Sequence, residues 1–136
     1  MSKLKKTFLS LCKVHSSNND ISERLWRELE TNYSSSGRFY HTLNHLEKMF
    51  EQLESAVNNI SDFELVSWAV FYHDFFYDPN RNDNEERSAL AALKCLNGIK
   101  IPFQKIMKVQ SLILATKKHE MGEEEDNDLG FFLDAS

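Results

Sequence analysis

The segment 71–78, "FYHDFFYD", sets a histidine beside an aspartate inside a run of aromatic residues. Desolvating an unpaired carboxylate costs several kcal/mol, so something must hold Asp74. A divalent cation meets that need, because it takes a neutral imidazole nitrogen and a carboxylate oxygen and its charge offsets the burial of Asp74. Read as neighbours on one helix, His73 and Asp74 diverge by about 100° and meet only on a small object lying outside that helix. Further ligands must come from elsewhere. His41 and His45, four residues apart, share one face of an upstream helix. A remaining carboxylate comes from Asp78, Glu85, Asp128 or Asp134.

The elements that would position these groups read as helices almost throughout. Four glycines and two prolines interrupt 136 residues, and apolar side chains recur at intervals of three and four. A first helix is predicted over 3–14, and a second over 20–33 with Asp20 and Glu23 as a capping box. The third starts near Tyr40 or Thr42 and carries Leu43, Leu46, Met49, Phe50, Leu53 and Val57 at helical spacing. The fourth opens on Ser61 and Glu64 and runs through the His-Asp pair to Asp78. It is apolar nearly all round, which predicts a central, buried helix. A polar loop follows, then a fifth helix capped by Asp83 or Asn84 and stopped at Gly98, and a sixth from Pro102 to His119. The segment "EEED" at 123–126 reads as a solvated acidic loop, leading to "DLGFFLDAS".

Composition excludes several classes. A formal charge of -5 argues against a broad basic surface for nucleic acid. No run approaches the roughly 18 apolar residues of a membrane span, and Lys13 interrupts the N-terminus before a signal-type core develops, so a cytoplasmic single domain is expected. Cys12 and Cys95 have no metal or disulfide spacing and read as helix-face thiols.

Four motifs in order, "RFYHTLNHLEKM", "YHDFFYDPNRNDNEERSA", "LILATKKH" and "DLGFFLDA", resemble the HD superfamily of metal-dependent phosphohydrolases, especially its small branch of predicted HD phosphohydrolases. The resemblance covers about residues 20–136. On spacing alone a buried, hydrogen-bonded histidine is the slightly better account of His73; the resemblance shifts the reading to metal. It implies an all-α, HD-domain-like bundle of about six helices, with His45 rather than His41 as the early ligand and His73 and Asp74 as the pair itself. The last ligand departs from the pattern. Members of that branch follow "FLDA" with another aspartate and then further helices, whereas this chain has Ser136. The resemblance therefore implies either that Asp134 substitutes or that the site lacks its fourth ligand, and that absent C-terminal helices leave apolar surface open to self-association as a homo-oligomer.

The implied chemistry is hydrolysis of a phosphate ester, a nucleotide among the candidates, by metal-activated water. The donor set suits Mn, Fe, Co, Ni or Zn better than Ca. Asp74 would both ligate the metal and orient the nucleophile. Lys117 and His119 form a candidate phosphate-facing cluster, with Arg38 as a second cation. Asp78 is a further candidate beside the pair, and His41, Asn84 and Glu85 are candidates for orienting ligands. The alternative function is a degenerate HD-type fold that binds a nucleotide or a protein partner without turnover.

Overall fold

The computed structural model describes residues 2–35, 38, 42–117 and 127–136. Seven α-helices and no strand occur among them: α1 (Lys3–His15), α2 (Asn19–Tyr33), α3 (Leu43–Ser55), α4 (Phe63–Tyr72), α5 (Asn84–Gly98), α6 (Phe103–Ala115) and α7 (Asn127–Ala135), with a single 3₁₀ turn at Val57–Asn59. The all-α class expected from the periodicity is therefore present, with one helix more. The additional element is α7, formed by the segment after the acidic run. Its nine residues bury Phe132 and Leu133 three and four positions beyond Leu129, so tertiary packing completes a helix too short to be marked by periodicity.

α4 is the centre of the bundle. Every residue from Leu65 to Tyr72 is buried, and α3, α5, α6 and α7 all pack against it. Phe8 of α1 closes the core from the other side, meeting Trp68 and Phe71 edge-on at 5.5 and 5.2 Å. Trp26 lies in the same core, 5.8 Å from Phe8.

Several helix ends differ from the sequence reading. α2 begins before Asp20, because the Asn18 carboxamide accepts from the Asp20 and Ile21 N–H groups and takes the N-cap role. α4 is capped by Asp62, whose carboxylate accepts from Leu65 N–H, while Ser61 gives its own N–H to Asp128. α4 also stops at Tyr72, short of the pair it was expected to carry. Gly98 is the last residue of α5, and the left-handed conformation that reverses the chain falls on Lys100, at φ 65°. Ile99 and Ile101 are buried on either side, so their packing holds a non-glycine residue in that region.

Among the described residues no helix is long and apolar enough to cross a membrane. Cys12 and Cys95 are free thiols on α1 and α5.

Candidate metal centre

The site forms where the N-terminus of α3 meets the C-terminus of α4. Leu46, Met49, Phe50 and Leu53 fix the buried stripe of α3, which leaves His45, in its first turn, half-buried beside the end of α4. α4 offers no polar face of its own. Its last apolar residue, Tyr72, is followed by His73 as the C-cap, still held by a 2.9 Å bond from its N–H to Ala69 O. His73 is only 5% exposed, with the ring of Phe132 from α7 edge-on at 5.8 Å and the His45 ring at 6.1 Å.

His45, His73 and Asp74 each present one ligand atom, and the three atoms lie within 4.8 Å of one another. Donors on one tetrahedral ion, about 2.1 Å from the metal, stand about 3.4 Å apart, so closing this set onto an ion takes inward motion of up to about 1.4 Å between the most distant pair. The sequence places His73 and Asp74 on a continuing helix, from which they converge only on an object outside it. The structure corrects this: the helix ends, and the following turn brings Asp74 Oδ2 to 3.1 Å from His73 Nε2.

The protonation of His73 decides what that contact is. Its Nδ1 lies 2.8 Å from the Val70 carbonyl, which can only accept, so Nδ1 carries a proton. In the neutral ring Nε2 then bears a lone pair facing a carboxylate oxygen. Such an arrangement holds together only with a cation between the two atoms, either a proton or a metal ion. Burial disfavours the charged ring, but the Asp74 charge and hydrogen bond, with the Val70 and Ala69 carbonyls, outweigh it and raise the His73 pKa above its ordinary value. Two imidazoles and a carboxylate, with the second nitrogen of His73 anchored on backbone, form a donor set that fits a divalent transition metal.

α2 supports the turn that carries the pair. The Tyr33 hydroxyl donates to Phe71 O at 2.9 Å and accepts from Asp74 N–H at 3.2 Å. Asn32 Nδ2 donates to Phe75 O at 3.0 Å. Arg38 lies over the Tyr33 ring, 5.1 Å from its centroid, and its guanidinium donates to Asp74 O at 2.7 Å and Phe75 O at 2.9 Å. Partial burial lowers the Arg38 pKa against the pull of Tyr33 and Asp74, and the group remains a cation. Arg38, expected to meet phosphate, thus spends these donors on the backbone behind the pair.

The other candidate residues are placed as follows. Asn84 clasps Asp78 from both sides, accepting from its N–H at 3.1 Å and donating to its carbonyl at 2.8 Å, which closes the loop between α4 and α5. Asp78 caps that loop by accepting from Asn80 N–H. Glu85 lies half-buried in the first turn of α5, outside the three-donor group. Lys117 is exposed and bonds Glu86 at 2.7 Å and Asn82 O at 2.7 Å. Asp134 is exposed on α7 and does not join the group. Asp128 is buried at the start of α7, where its two oxygens accept from Ser61 and Asp62 N–H at 2.7 and 2.8 Å. His41 and His119 lie outside the described residues.

Sequence reasoning missed Tyr33 and Asn32. Both sit at the end of an ordinary amphipathic helix, and only the tertiary path of 71–75 gives their polar atoms a task. Comparison with models of known families, with curated proteins and with solved structures finds no match to this chain.

Proposed function

We propose that this chain is a metal-dependent phosphohydrolase of the HD type, holding one divalent transition metal through His45, His73 and Asp74 and hydrolysing a phosphate ester, with nucleotides as the substrate class to test first. The observation that carries the reading is the convergence of three donors, His45, His73 and Asp74, with His73 Nε2 and Asp74 Oδ2 facing each other at 3.1 Å across a position that a proton or a metal ion can fill. The resemblance of the four motifs supports the same chemistry.

Bound there, the cation supplies Lewis acidity, lowering the pKa of a water and offsetting the negative charge of the phosphoryl group. The chain's residues do the rest. The Val70 carbonyl holds the His73 ring in the tautomer that presents Nε2. Asp74 contributes the charge that makes a dication favourable at a buried site, and its turn is fixed by Arg38 on its carbonyl. Phe132 walls the His73 ring on the α7 side.

The test is metal analysis of protein prepared without a histidine tag, followed by turnover of a nucleotide panel and a generic phosphodiester with added Mn²⁺. About one ion per chain, lost in His45→Ala and His73→Ala, with metal-dependent turnover, is expected. Near-zero metal in the unaltered protein overturns the reading. Stoichiometric metal with no turnover overturns the hydrolase and leaves the binding module.

A further inference from the structure

We propose that the Tyr33 hydroxyl is a positioning group that fixes the His73 tautomer by catching the backbone N–H which His73 displaces. The inference rests on the metal reading for its function, but the relay is a property of the chain alone.

In a continuing helix, Asp74 N–H would bond Val70 O and Phe75 N–H would bond Phe71 O, each four residues back. Neither does so here. The Val70 carbonyl is taken by His73 Nδ1 at 2.8 Å. The Phe71 carbonyl accepts from the Tyr33 hydroxyl at 2.9 Å, while Phe75 N–H tightens to Tyr72 O at 3.1 Å. Asp74 N–H, left without its helical acceptor, donates to the same hydroxyl at 3.2 Å. One fully buried oxygen therefore serves both groups released where the helix ends.

The exchange has a consequence for the ring. A buried N–H without an acceptor is unfavourable, so without the hydroxyl Asp74 N–H competes with His73 Nδ1 for Val70 O. Sharing that acceptor weakens the contact that makes Nε2 the lone-pair nitrogen of His73. Asn32 and Arg38 cannot replace the hydroxyl, because both act as donors to the carbonyls of Asp74 and Phe75 and leave the Asp74 N–H untouched.

Tyr33→Phe is the sharp variant, since it keeps the ring, its burial and the Arg38 stack. In metal-free protein at pH high enough to neutralise His73, long-range ¹H–¹⁵N spectra should show only the Nδ1–H tautomer in the unaltered chain and a mixture in Tyr33→Phe. With Co²⁺, the variant should bind about 10- to 100-fold more weakly, with a shifted visible spectrum. Ile106→Val, a buried change on α6, should alter neither. Should Tyr33→Phe not fold, amide exchange in the unaltered protein still decides, because the relay requires Asp74 N–H to exchange as slowly as the last turn of α4. An unchanged tautomer in the variant, or a fast-exchanging Asp74 amide, overturns the relay. Absence of Co²⁺ binding in the unaltered protein overturns the metal reading and leaves the tautomer result to stand by itself.

Discussion

Truncating Asp128 should unfasten α7 and, through it, expose the His73–Asp74 pair. Asp128 is 3% exposed, and its two carboxylate oxygens accept separately from the N–H groups of Ser61 and Asp62, ahead of α4. Hydrogen bonds to a charged group contribute about 1.5–3 kcal/mol each, so Asp128→Ala should cost about 3 kcal/mol once water reaches part of the vacated site. Unfolding entropy of about 2.1 cal/mol/K per residue gives about 0.29 kcal/mol/K for 136 residues, and the loss becomes a fall in melting temperature of about 10 °C. Asp128→Asn keeps one acceptor but sets an NH₂ group against the second N–H, so it should recover no more than half of that loss. Circular dichroism melts and urea titration measure both. Because Phe132 on the same helix covers the His73 ring, Asp128→Ala should also weaken the proposed metal binding, and by more than the core change Ile106→Val does. A melting temperature for Asp128→Ala within about 2 °C of the unaltered protein would refute the claim that this carboxylate ties α7 to α4.

Three shorter predictions follow from the same contacts. Burial works against the Glu64 carboxylate, but hydrogen bonds from Lys105 and His15 outweigh it and hold the Glu64 pKa below its ordinary value, so this stability is present above about pH 4.5 and lost as pH falls through the folded-state pKa. The urea midpoints of the unaltered protein and Glu64→Gln should therefore differ at pH 6 and converge in strong acid; a constant gap would contradict the assignment. Asn84→Ala removes both bonds to the Asp78 backbone and should cost about 1–2 kcal/mol with faster amide exchange at Asp78, whereas equal exchange rates would remove the clasp from the account. Lys117→Met breaks an exposed ion pair with Glu86 and should leave the melting temperature within about 2 °C and any metal-dependent turnover within about threefold. A larger fall in turnover would return Lys117 to a substrate-binding role.

What the sequence revealed and what it hid divide along a physical line. Periodicity identified α1 to α6 and the burial of α4, because an apolar stripe or an all-apolar surface is a local property of the chain. His45, His73 and Asp74 were legible as a group because their side chains are unusual in apolar surroundings or share a recognisable order. The ends of helices were less legible, since caps depend on which of several polar residues reaches the backbone: Asn18 rather than Asp20, and Asp62 rather than Ser61. Least legible were polar groups with distant partners. His15 pairs with Glu64 across 49 residues and Asp128 with Ser61 across 67, and no spacing rule relates them.

The same distinction explains why the sequence brings the His-Asp pair into one group with His45 but places it wrongly on a continuing helix. On an unbroken helix the two side chains diverge by about 100° and meet only on an ion outside the helix. The chain instead stops its helix at Tyr72, gives the Val70 carbonyl to the His73 ring, and passes the displaced Asp74 N–H to Tyr33. Ending the helix has a cost, because the last turn gives up backbone hydrogen bonds. That cost is met by groups from another helix, Tyr33, Asn32 and Arg38, which satisfy the carbonyls of Phe71, Asp74 and Phe75 and the N–H of Asp74. The arrangement makes physical sense when the object being fixed is the relative position of His73 Nε2 and Asp74 Oδ2.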